Sequence, residues 1–159
     1  MKNPLMIFIL SIVMLTFTAE SVAAVFAEGL RAYKSADYAK AKTIFTQLAE
    51  QGDVMSQRHL AEMYDKGRGV KKDYSKAIYW YRKAADQKDS KSQYHLGIKY
   101  MVGSGVGVDT KQAYAWFALA FEYGYKPAAA SIKTLNKTMS NVDRQAALLI
   151  AENMLHTNR

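Results

Sequence analysis

The sequence predicts an all-α chain assembled from repeated helix pairs, and three observations predict it. Apolar and small residues recur at three- and four-residue spacings, as on the buried stripe of a helix. Nine Gly and two Pro among 159 residues leave few breakers for a hairpin-rich β chain. Residues 52–87 laid on 88–123, a shift of 36, are identical at 13 positions where chance would give about two. A hydrophobic fraction of 50% and a charged fraction of 23% are ordinary for one folded domain and exclude a disordered chain.

Residues 1–24 are set apart first. Lys2 gives a positive start, Leu5 to Phe17 is apolar apart from Ser11 and Thr16, and the small residues of Ser21-Val22-Ala23-Ala24 follow. This is the plan of a secretory signal peptide, cleaved after Ala23 or Ala24. The run of about 13 apolar residues is short of the roughly 20 that span a bilayer. The expected location is therefore the periplasm or the exterior, with membrane contact only through the signal peptide before cleavage. Removing 1–24 takes away one Lys and one Glu, so the single helical-repeat domain over 25–159 keeps the net charge of +8.

Within that domain, 25–51 reads as a degenerate first unit. Asp37, Ala41 and Phe45 precede Asp73, Ala77 and Tyr81 by one period, but its inter-helix loop is shorter. Residues 52–87 and 88–123 are the two full repeats. In the first, Ser56, Leu60 and Tyr64 mark one helix, and Ala77, Tyr81 and Ala85 mark the second. The glycines of GRGVKKD and GSGVGVD break the first helix of each pair and permit a left-handed turn, and Asp73 and Asp109 stand where an N-cap oxygen is needed. Ala61, Gly97, Ala84 and Ala120 are small where helices must approach closely. Residues 124–159 form a divergent C-terminal capping unit: Pro127 opens a helix, and Ser140 with Asp143 starts another, through Leu155, giving a fourth pair and about eight helices in the mature chain.

The pattern Leu60-Ala61 to Tyr64, Gly67-x-Gly69-Val70, Asp73, Ala77, Trp80-Tyr81 and Ala84-Ala85 recurs as Leu96-Gly97, Tyr100, Gly103-x-Gly105-Val106, Asp109, Ala113, Trp116-Phe117 and Ala120. It resembles the Sel-one-like repeat (SLR), a relative of the tetratricopeptide repeat (TPR). The resemblance implies a right-handed solenoid of antiparallel helix pairs acting as a protein-interaction scaffold, a type common among exported bacterial proteins. A cysteine-rich branch of the family is linked to penicillin binding and β-lactam hydrolysis. That branch pairs Cys within repeats, and this chain has none, so the activity is not carried over.

Chemistry is scarce. Without Cys there is no thiol nucleophile, disulfide or thiolate metal site. His59 and His95 occupy one place in successive repeats, which predicts a structural hydrogen bond rather than a metal site. GSGVGVD has no preceding strand and no following Lys-Ser/Thr, so it reads as a loop and not a phosphate cradle. Trp80 and Trp116 keep the period and are expected to pack between repeats. Glu50, Glu62, Glu122 and Glu152 show no paired spacing for acid–base work. No catalytic residue, cofactor or metal ligand is assigned.

Two surfaces remain. With Leu60 facing the core, Met55, Arg58 and Glu62 project from the far side of their helix, and Lys91, Tyr94 and Ile98 are the equivalents one repeat on. This strip is the candidate protein-binding groove, on the concave wall of the superhelix. The second is charge: residues 66–91 hold nine Lys or Arg against three Asp, and Lys66, Arg68, Lys71 and Lys72 form its basic patch. The function expected is a non-catalytic scaffold or adaptor of the bacterial cell envelope binding a protein or peptide, with an acidic partner favoured by the charge. The alternative is a cell-wall-associated protein that binds peptidoglycan, or another anionic envelope component, or modulates a peptidoglycan-processing enzyme. The export signal argues against nucleic acid.

Overall fold

The computed structural model describes residues 20–157, so the signal segment lies outside the described residues except for its last five positions. These lie in helix α1, described over residues 20–34, and the expected cleavage points fall inside that helix. Seven further helices follow: α2 (Tyr38–Glu50), α3 (Val54–Lys66), α4 (Tyr74–Asp86), α5 (Ser90–Val102), α6 (Thr110–Glu122), α7 (Ala128–Asn136) and α8 (Asn141–Thr157). Among the described residues there is no strand, and eight helices form an all-α solenoid.

The repeat chemistry sets where the helices start and stop. Asp37, Asp53, Asp73, Asp89 and Asp109 each accept a hydrogen bond from a backbone N–H three residues on, at Lys40, Ser56, Lys76, Ser92 and Gln112. Such a cap is worth about 1 kcal/mol. The sequence reading assigned this role to Asp73 and Asp109 only. α3 and α5 end on Gly67 (φ 68°) and Gly103 (φ 80°) in the left-handed region. The next glycine of each loop is needed twice over. Gly69 and Gly105 also have positive φ, and a Cβ there would come within 2.3 Å of Tyr38 and 2.6 Å of Tyr74. Each loop therefore rests on the first residue of the second helix of the preceding repeat.

Packing follows the period. Ala41, Ala77 and Ala113, and the rings of Phe45, Tyr81 and Phe117, are fully buried at three successive steps. Burying an aromatic or aliphatic side chain of this size contributes roughly 1.5–3 kcal/mol. The close approaches expected at small residues are present: Ala61, Ala84 and Ala120 have no exposure, and a Cβ on Gly97 would lie 2.6 Å from the Phe117 ring. The polar lock also repeats. Gln57 Nε2 donates to the Ala49 carbonyl at 3.1 Å and Gln93 Nε2 to the Ala85 carbonyl at 3.2 Å. Each bond adds a side-chain donor from the next repeat to a helix-end carbonyl that also accepts from the backbone turn following it.

The C-terminal unit differs from the expected fourth pair. Ser140 Oγ does accept from the Asp143 N–H at 3.1 Å, as the capping pattern predicts. However, α8 has α6 as its main neighbour, not α7. Lys111 Nζ lies 3.7 Å from Asp143 at the starts of α6 and α8, and Leu119 and Tyr123 meet Met154 and Leu155 near their ends, so the two helices run parallel. The physical reason is length: α7 has nine residues where the other first helices of described pairs α3 and α5 have thirteen. A short α7 presents too little surface to hold α8 away from α6.

Candidate interaction surface

The structure divides the predicted strip. Met55 is exposed at 42% and Lys91 is exposed. Arg58 does not project: its side chain is 7% exposed, and its Nη1 pairs with Asp89 Oδ1 at 2.5 Å while the other Asp89 oxygen caps α5. Glu62 is half-buried beside Lys66 Nζ (3.7 Å) and His59. Tyr94 is half-buried against the rings of Tyr125 (4.9 Å) and Phe117 (5.3 Å), and Ile98 packs into the same cluster. A helical wheel with one core direction suits a helix buried on one side. In this stack α3 and α5 are covered by the helices before them, by their own partners and by each other, so the "far side" of α3 is the α3/α5 junction. A second buried ion pair, Asp65 with Lys99, crosses that junction. Its only sequence signal was a basic and an acidic residue 34 positions apart, close to the period.

The four residues of the basic patch all lie on the surface. Lys71 is exposed, and Lys72 Nζ lies 3.2 Å from the Tyr74 hydroxyl. Lys66 is engaged by Glu62. Arg68 reaches back to α1, where its Nη1 donates to the Tyr33 hydroxyl at 2.8 Å. That hydrogen bond raises its already high pKa. At the start of α4 the structure adds two residues that the sequence reading did not place in the patch, Lys42 and Lys76. With Lys71 and Lys72 they surround a recess floored by Tyr64 and Val70, in which Asp73 is the one acid. Lys42 lies outside the charged stretch in sequence and arrives from α2, one repeat earlier.

The histidines do not make the expected hydrogen bond. His59 stacks on Phe45 (centroids 5.1 Å apart, planes 16° apart) and His95 on Tyr81 (4.8 Å, 16°), so both rings serve as flat packing surfaces. His59 Nδ1 lies 4.0 Å from Glu62 Oε2, beyond hydrogen-bond reach. Burial is the main cause that lowers the pKa of both, opposed by Glu62. Trp116 is buried and has the Arg82 guanidinium 4.7 Å from its ring. Trp80 is half-buried, with Tyr79 edge-on at 5.0 Å. No group of three or more His, Cys, Asp or Glu gathers among the described residues, and none of the helices there is long and apolar enough to cross a membrane.

Stacked helix pairs, capped alike and joined through periodic side chains, define a helical-repeat solenoid whose surface offers charge and grooves. The chain belongs to the Sel1 repeat family, which matches residues 22–53, 54–89 and 90–125. Among solved structures it is similar to a protective antigen of uropathogenic Escherichia coli with an SLR fold, at 30% identity and a TM-score of 0.80, over 89% of this chain and 32% of that one. It is also similar to a Sel1 repeat protein of Oxalobacter formigenes, at 32% identity and a TM-score of 0.66, over 69% of this chain and 45% of the other. This chain thus spans about a third and under half of the lengths of those two proteins. Helicobacter pylori cysteine-rich protein B shares the fold at 24% identity and a TM-score of 0.57, over 69% of this chain and 93% of that one. No curated protein matches the sequence.

Proposed function

We propose that this protein is a non-catalytic interaction scaffold of the bacterial cell envelope whose partner is a protein or peptide bearing an acidic segment. Sel1 repeat proteins are generally protein-interaction scaffolds. The observation that carries the finer reading is the recess at the start of α4: four lysines from α2, the preceding loop and α4 surround half-buried Tyr64 and Val70, with Asp73 as the single acid. A cationic rim over an apolar floor favours an acidic chain with apolar side chains between its charges. Met55 and Lys91 extend the available surface along α3 and α5, whereas Arg58, Tyr94 and Ile98 serve the stack.

The envelope location rests on the pattern of residues 1–24. N-terminal sequencing of protein recovered from fractionated cells is expected to begin at Ala24 or Val25, and a start at Met1 in the membrane fraction would overturn it. The binding mode is tested by capture from envelope extract at low and high salt beside co-sedimentation with purified peptidoglycan. Salt-sensitive capture of a protein supports the scaffold. Retention of glycan alone contradicts it and favours the wall-binding alternative.

A further inference from the structure

We propose that the groove between α2 and α4 docks an amphipathic helix of the partner, with an acidic first turn and an apolar ridge near its C-terminal end, lying parallel to α4. The proposal rests on the scaffold reading and names the chemistry of what the scaffold holds. The chain itself supplies the template. α8 lies along α6 with Asp143 in its first turn beside Lys111, and its ridge of Ile150, Ala151, Met154 and Leu155 joins the cluster around Trp116. Met154 and Leu155 enter a recess walled by Ala85, Gln93, Trp116 and Leu119.

One period earlier the same positions, Ala49, Gln57, Trp80 and Lys83, wall a second recess. No helix of the described chain is seated in this one. Its aromatic floor is wider, because Tyr79 replaces Ala115 and is 54% exposed. Further along the groove, Lys42, Lys71, Lys72 and Lys76 surround the start of α4, where Lys111 meets Asp143 in the α6/α8 pair. The groove therefore offers cations to the start of a docked helix and aromatic surface to its end. This is the same order of charge and apolar surface that α8 satisfies. Two further positions differ from the template: Ser75 stands where α6 has Lys111, its charge supplied here by the four lysines, and Lys83 stands in place of Leu119 on a recess that Glu50 also lines, which selects a long polar side chain at that point. The mode is a helix laid in a groove, read through i, i+1, i+4 and i+5 anchors.

The test uses a synthetic peptide of residues 141–157 of this chain, with a photoreactive methionine analogue at position 154, added to the purified protein. Saturable binding is expected, with cross-links to the Tyr79–Lys83 turn and the end of α2. Lys83→Leu, which restores the α6 pattern, should tighten binding about threefold. Tyr79→Ala with Lys76→Glu should weaken it about tenfold. Tyr79, Lys76 and Lys83 are all exposed, so circular dichroism and the unfolding midpoint should stay at wild-type values. Absence of saturable binding, cross-links confined to the Trp116 recess through displacement of α8, or unchanged affinity in both variants would overturn the proposal. A protein captured through Lys71 and Lys72 while the peptide fails to bind overturns the groove assignment and leaves the scaffold reading standing.

Discussion

His59 and His95 show how single residues are used in this stack. Each ring lies flat on a fully buried aromatic side chain of the preceding repeat, Phe45 or Tyr81. Burial holds both pKa values below the ordinary 6.5, so the rings are neutral at pH 7. The unfolded chain binds protons on these histidines at a higher pH than the folded chain does. Their stabilising effect is therefore complete above about pH 6.5 and is lost as pH falls below it. The urea midpoint should drop between about pH 7.5 and pH 5.5, and His59→Phe with His95→Phe should flatten that dependence while keeping the stack. A flat wild-type profile over the same range would contradict this account. The position of the histidines in each repeat was legible in the sequence. Their stacking was not, because the partner ring lies 14 residues upstream on another helix.

At the scale of the element, the junction between α3 and α5 is where the sequence reading and the structure part. Helix starts, helix ends and the Gly-x-Gly loops were legible, because caps and left-handed turns are local and the period repeats them. Which face of a helix is free depends on the helices on either side, and a single-helix wheel does not contain them. Arg58 is the clearest case. Replacing it with Ala would leave the Asp89 carboxylate nearly buried and unpaired, with an expected loss of about 3 kcal/mol in equilibrium unfolding. An unfolding free energy within about 0.5 kcal/mol of wild type would return Arg58 to the surface. The two tryptophans should likewise separate. Trp116→Ala removes a buried ring that contacts α8 and should cost about 3–5 kcal/mol, whereas half-exposed Trp80→Ala should cost about 1–2 kcal/mol. Equal losses would mean that both rings pack between repeats to the same degree.

For the whole molecule, repetition explains both the stability and the available surface. The first unit and the two full repeats are tied in series by the same buried alanines, the same aromatic position and, at two junctions, the same glutamine lock, so local losses should propagate to neighbours. The 36-residue period carried the solenoid into view from sequence. It could not show the lysine recess, which is assembled from α2, a loop and α4, nor α8 lying on α6, which follows from the shortness of α7. The central claim is that this surface holds an acidic partner. It is tested most directly by association and dissociation kinetics of the captured partner on wild-type protein and on Lys71→Glu with Lys72→Glu, at two salt concentrations. The double variant is predicted to associate more slowly, with a flattened salt dependence and an unchanged unfolding midpoint, because exposed charges act mainly by steering and are screened beyond about 10 Å at 0.1 M salt. Unchanged association at both salt concentrations, with folding intact, would contradict the claim and move the binding site elsewhere on the solenoid.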